Sequence, residues 1–142
     1  MEPSVRVLVG DDQVYVRQGL QALLAAWPEI EVVDMAANGV EIVQKVEKCQ
    51  PDVVVMDIPR PMAMERLEEI RLIKSRWPQV RIVVLTMFTS HRAAALAAGA
   101  DAFLLKGCTA EALRDALLKS GQTAVKRVNP TAEGSRPLPP VS

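Results

Sequence analysis

Residues Val53-Val54-Val55-Met56 form an unbroken apolar run, mostly β-branched, that ends in a carboxylate at Asp57. A strand exposed on one face alternates apolar and polar residues, whereas a continuous run suits a strand covered on both faces, as in a parallel sheet packed between helices. In open parallel sheets ligands bind beyond the carboxyl ends of the strands, where the strand order reverses. Asp57 stands at such an end. Other strands of the chain also deliver polar residues to their carboxyl ends.

Val5 to Val9 reads as a short strand that ends in Gly10-Asp11-Asp12. A helix over roughly Val14 to Ala26 carries Leu20, Leu23, Leu24 and Trp27 on one face, and Pro28 stops it. Ile30 to Met35 is a second strand, Asn38-Gly39 a turn, and Val40 to Cys49 a helix with Val40, Val43 and Val46 as its apolar positions. After Asp57 come a loop through Pro59 and Pro61 and a helix from about Met64 to Arg76, with Leu67, Ile70 and Ile73 inward. Val80 to Leu85 is a fourth strand ending in Thr86, and His91 to Ala98 a short helix closed by Gly99. Ala102 to Leu105 is a fifth strand ending in Lys106; Thr109 caps a last helix, which Gly121 ends. The two Trp-Pro junctions, Trp27-Pro28 and Trp77-Pro78, are two uses of one helix-to-strand connection, since a solenoid needs at least three similar repeats.

Strict alternation of strand and helix implies a parallel sheet with right-handed crossovers, hence a five-stranded, doubly wound α/β domain over residues 1–121. Residues 122–142 contain Pro130, Pro137, Pro139 and Pro140 without an apolar period and read as a linker or disordered tail. The 17 basic residues balance 17 acidic ones, so no global field draws nucleic acid or an anionic membrane. Cys49 and Cys108 lack metal-ligand spacing, and no apolar run approaches the ~18 residues of a spanning helix. These features predict a soluble, cytoplasmic protein without a membrane partner.

Four strand ends thus bring Asp11-Asp12, Asp57, Thr86 and Lys106 to one edge. Alone, the paired acids would cap a helix and the lysine would be solvated; together they have a chemical reading. Three clustered carboxylates repel one another and call for a hard cation such as Mg²⁺, which takes a few carboxylates together with water and phosphate oxygens. An aspartate beside such an ion can attack phosphorus and form an acyl phosphate. Lys106 would neutralise phosphoryl oxygens and the Thr86 hydroxyl would donate to one of them.

In the motifs Val7-Leu8-Val9-Gly10-Asp11-Asp12, Val54-Val55-Met56-Asp57, Val83-Val84-Leu85-Thr86 and Phe103-Leu104-Leu105-Lys106, the chain resembles the response-regulator receiver family of two-component signalling, from about Val5 to Ser120. The resemblance implies a flavodoxin-like fold with strand order 2-1-3-4-5. It implies that Asp57 accepts a phosphoryl group from a sensor histidine kinase, with Mg²⁺ held by Asp12, by Asp57 and by the backbone carbonyl of Pro59, Asp11 assisting. It further implies that Thr86 moves toward the phosphoryl group while Phe103, at the aromatic switch position, rotates inward, a two-state element biased by a new charge. The chain would then be a switch, not a turnover enzyme. Wording around Ala37-Asn38-Gly39 and Trp77-Pro78-Gln79-Val80 is similar to the receiver half of NarL/LuxR-type transcription regulators. DNA would then be met only through a C-terminal helix-turn-helix domain absent from this chain, and a second copy would be a candidate partner.

Two departures from the family pattern flank the site. The loop Ile58-Pro59-Arg60-Pro61-Met62-Ala63-Met64-Glu65 is one residue longer than the family pattern and lacks a glycine, and the segment from Thr86 to Lys106 is about two residues shorter than it. They motivate an alternative, a phosphorylation-independent interaction or dimerisation module. An aspartyl phosphatase ranks last, because such enzymes commonly place a general acid two residues after the nucleophile, and here that residue is Pro59.

Overall fold

In a computed structural model, which describes residues 4–59 and 61–126, five strands alternate with five helices. In order these are β1 (Val5–Gly10), α1 (Val14–Ala25), β2 (Ile30–Ala36), α2 (Gly39–Cys49), β3 (Val53–Met56), α3 (Ala63–Arg76), β4 (Arg81–Thr86), α4 (Arg92–Ala98), β5 (Ala102–Leu105) and α5 (Ala110–Lys126). A 3₁₀ turn, Thr89–His91, leads into α4. The strands form one parallel sheet in the order β2-β1-β3-β4-β5, which is the expected doubly wound arrangement.

β3 occupies the middle of the sheet, with Val54 paired to Leu8 on one side and Ile82 on the other. Its continuous apolar character follows from that position. Val54 and Met56 point into a core built with Ile42 and Val46 of α2, Ile70 and Ile73 of α3 and Ala95 of α4. Val53 and Val55 point into a second core with Leu24 of α1 and Leu113 and Leu117 of α5. All four β3 side chains are at most 1% exposed, and each contributes about 1.5–3 kcal/mol of burial. A polar residue on either face would forfeit that.

Local signals set the helix ends. The Asn38 side chain accepts from the Glu41 amide at 2.9 Å, and Glu41 accepts in return from the Ala37 amide at 2.8 Å, a reciprocal arrangement that fixes the β2–α2 turn. Thr109 Oγ1 accepts from the Ala112 amide at 3.0 Å, as its capping role requires. Gly99 closes α4 at φ 120°, a left-handed conformation that a side chain would oppose.

Three local expectations change. Val40 does not face the core: it is 66% exposed, and α2 is anchored by Ile42 and Val46 with Val43 beside them. Steps of three residues drift around a helix of 3.6 residues per turn, so the four-residue pair wins. The last helix passes through Gly121 to Lys126; one interior glycine costs only about 1 kcal/mol relative to alanine. Of the segment expected to be a linker, residues 127–142 lie outside the described residues. β4 begins at Arg81, whose buried guanidinium lies 3.0 Å from Asp101.

Candidate functional site

The sheet order reverses between β1 and β3, and the residues that follow these two strands are Asp11 and Asp57. Main-chain pairing continues one residue past the strands and fixes the frame from which the side chains project. The Asp11 amide donates to the Ala36 carbonyl at 3.0 Å, the Asp57 amide to the Gly10 carbonyl at 3.2 Å and the Lys106 amide to the Thr86 carbonyl at 2.8 Å. Gly10 lies against Ile42, where an added Cβ would sit 2.6 Å from the isoleucine methyl, so the missing side chain leaves the room that Ile42 of α2 fills.

Lys106 Nζ lies 3.1 Å from Asp11 Oδ2 and 3.1 Å from Asp57 Oδ2, bridging carboxylates that come from different strands. Asp11 is buried and its other oxygen accepts from the Gln13 amide at 3.0 Å, while its carbonyl accepts from Arg17 Nη1 at 2.7 Å. Asp12 projects to solvent, yet one oxygen from each of Asp11, Asp12 and Asp57 falls within 4.8 Å of the others. Hard oxygen donors at that spacing, with one flank already neutralised by an ammonium, suit a small divalent cation that retains several waters.

Burial pushes the Asp11 carboxyl above its usual range, and the nearby Asp57 charge adds to this; the Gln13 amide and Lys106 oppose it without prevailing. For Lys106 burial acts to lower the pKa, but hydrogen bonds and charge from Asp11 and Asp57 outweigh it and the ammonium is held above its ordinary value. The ammonium therefore stays charged at any physiological pH.

Two hollows flank the acids. One is lined by Asp11, Asp12, Asp57 and Pro59 together with Asn38 and Arg66. The other is lined by Asp12, Asp57, Pro59 and Lys106 with Met87 and Phe88. Thr86 is fully buried behind them, its hydroxyl directed at the Ile58 carbonyl at 3.4 Å. Phe103 stands apart from the acids: half-buried at the edge of the core, with the Arg92 guanidinium 6.0 Å from its ring centroid.

Asp11, Asp12, Asp57, Pro59 and Lys106 are thus brought together, with Thr86 adjacent and Phe103 at the periphery. Arg66 was not anticipated, although it lies four residues before the inward-facing Ile70 and so on the buried stripe of α3. His91 packs edge-on to Phe88, with ring centroids 5.8 Å apart. Burial raises the Cys108 thiol pKa, so proximity to Lys106 does not activate it.

A family model, "Response regulator receiver domain", matches residues 7–118. The chain is 36% identical over 138 residues to the transcriptional regulatory protein LnrK of Bacillus subtilis, covering 96% of this chain and 57% of that protein. It is 38% identical over 136 residues to a protein-glutamate methylesterase/protein-glutamine glutaminase of a Nocardioides species, covering 88% of this chain and 37% of that protein. Among solved structures it is similar to the signal receiver domain of NarL from Mycobacterium tuberculosis, with a TM-score of 0.78, 27% identity and coverage of 85% of this chain and 98% of that one. The chain therefore spans little more than half the length of the first relative and about a third of the second. Among the described residues, no helix is long and apolar enough to cross a membrane.

Proposed function

The chain belongs to the response regulator receiver domain family, and from that premise we propose that Asp57 accepts a phosphoryl group from the phosphohistidine of a sensor kinase. The observation that carries this reading is the Lys106 ammonium shared by Asp11 and Asp57 at 3.1 Å each, at the point where the strand order reverses. An Asp57 oxygen attacks phosphorus, the P–N bond of the donor breaks, and its electron pair remains on the imidazole nitrogen, which is then protonated. Asp12, Asp57 and the Pro59 carbonyl would hold Mg²⁺, with Asp11 assisting; the ion, when bound, neutralises carboxylate and phosphoryl charge.

Lys106 then pairs with a phosphoryl oxygen as well as with Asp11. The Thr86 hydroxyl has only a long bond to Ile58 to give up, so turning toward the new anion costs little and gains a charge-assisted bond. Space vacated behind Thr86 admits Phe103, whose half-buried ring already borders that core. Hydrolysis of the acyl phosphate restores the starting state, so the chain acts as a cytoplasmic switch. The relationship to LnrK supports transcription regulation as the output, with DNA contacted by a further domain and a second copy of the chain as a candidate partner.

The test is Mg²⁺-dependent phosphorylation by acetyl phosphate or phosphoramidate, followed by intact mass, with Asp57→Asn as control. The expected result is a gain of one phosphoryl group that the control lacks. No gain, under conditions that phosphorylate a typical receiver, would leave an interaction module that retains its acids for structural reasons.

A further inference from the structure

Each of the two hollows that the acids line also has a cationic side chain in its wall. Lys106 lines the hollow that contains Val16, Met87 and Phe88, while Arg66 lines the one that contains Ala37, Asn38 and Ile42; Asp12, Asp57 and Pro59 border both. Arg66 is not a surface residue that folds over the site. Its side chain is 6% exposed and its Nη1 lies 2.7 Å from Glu69 Oε1, one turn along α3.

Glu69 is itself positioned by α2. An added Cβ on Gly39, the first residue of that helix, would sit 1.9 Å from Glu69 Oε2, so the carboxylate fills the space left by the missing side chain. There it meets the positive end of the α2 dipole as well as the guanidinium. Glu69 therefore fixes Arg66 in place while sharing its charge with the helix terminus, and Arg66 remains part of the wall of the hollow that the acids also line.

We propose that Arg66 is a resident counter-ion of the acidic cluster, which offsets the carboxylate charge on the side away from Lys106 and thereby weakens the binding of a divalent cation there. The inference rests on the receiver reading of the three acids. A guanidinium is charged at every accessible pH and is tethered by α3, so it acts whether or not an ion is bound. It relieves repulsion among the carboxylates in the cation-free state and repels the incoming ion. Arg66 is in this sense a positioning residue that sets how strongly the pocket depends on Mg²⁺.

Calorimetric titration of the full chain with MgCl₂ tests this, comparing it with Arg66→Gln, Arg66→Met and Arg66→Lys, each checked for folding by circular dichroism melting. Removing one unit charge beside a divalent ion is expected to tighten Mg²⁺ binding about tenfold in the Gln and Met variants, with Lys returning it toward the parent value and high salt reducing the difference. A purely structural arginine would lower the melting temperature and leave Mg²⁺ affinity equal or weaker, which overturns the proposal. Should Gln and Met both fail to fold, Glu69→Gln supplies the readout: freeing the guanidinium of its partner should weaken Mg²⁺ binding, and any other result overturns the proposal. Mg²⁺ binding by the parent chain at an affinity the variants share would sink this inference alone. No Mg²⁺ binding by any of the proteins would remove the receiver reading of the acids with it.

Discussion

The hydroxyl of Thr86 and the carbonyl of Ile58 are 3.4 Å apart, a contact between a fully buried donor and the residue that follows Asp57. Such a distance lies beyond the ordinary hydrogen-bond range, so the contact contributes little to the resting state. Thr86→Val, which keeps the shape, is expected to change unfolding free energy by less than about 1 kcal/mol. It should nonetheless blunt the conformational response to beryllofluoride. Amide chemical-shift changes around Phe103 on adding the mimic would measure this; a response equal to the parent's would exclude a role for the hydroxyl in switching.

Lys106 neutralises two carboxylates at once. Replacing it with methionine leaves both facing one another with less compensation, at an expected cost of about 2 kcal/mol in Mg²⁺-free buffer. Added Mg²⁺ should restore more stability to the variant than to the parent, because the ion takes over the missing charge. Urea denaturation with and without MgCl₂ reads both numbers, and an equal Mg²⁺ effect would contradict the electrostatic account.

Asp11 has a raised pKa in the folded chain, chiefly from burial. The folded state therefore holds this proton more tightly than the unfolded state, and stability contributed by the protonated group is lost as pH rises from the ordinary aspartate value through the raised one. Asp11→Asn retains an acceptor for the Gln13 amide and should be more stable than the parent by about 1–2 kcal/mol at neutral pH. The advantage should shrink below pH ~4, where both carry a neutral group. Denaturation midpoints across that window supply the check.

Away from the acids, Asp101 accepts from the Ile82 amide at 2.9 Å and pairs with Lys74 at 3.2 Å and Arg81 at 3.0 Å, with its side chain 10% exposed. Asp101→Ala removes the carboxylate that joins the start of β4 to the α4–β5 connection. We expect a loss of about 3 kcal/mol with phosphorylation by acetyl phosphate unchanged at temperatures where the variant is folded. A fall in phosphorylation of the folded variant would show that this cluster and the acidic site are coupled.

Legibility in the sequence followed how local each determinant was. The Val53–Met56 run announced a strand buried on both faces because four successive apolar residues, three of them β-branched, suit a strand in the middle of a covered parallel sheet, and the acids at strand ends followed from the same reading. Val40 misled because an apolar residue in the first turn of a helix looks inward whether or not a layer covers it. Arg81 and Arg66 were hidden for a different reason. A charged residue reads as solvent-facing unless its surroundings are known: Asp101 is twenty residues from Arg81, and although Glu69 stands only three residues from Arg66, nothing local shows that the pair is covered. The same holds for Gly39, whose missing side chain makes room for a carboxylate thirty residues further along the chain.

The bridge from Lys106 to Asp11 joins residues 95 positions apart, and that to Asp57 joins residues 49 apart. Contacts of such separation close only after most of the chain is ordered. While the polypeptide is being synthesised, Asp57 emerges well before its lysine does, and a fragment that ends ahead of β5 carries Asp57 without the ammonium that bridges it to Asp11. If Asp57 is the phosphoacceptor that we propose, competence to receive a signal is withheld until the sheet has its last strand.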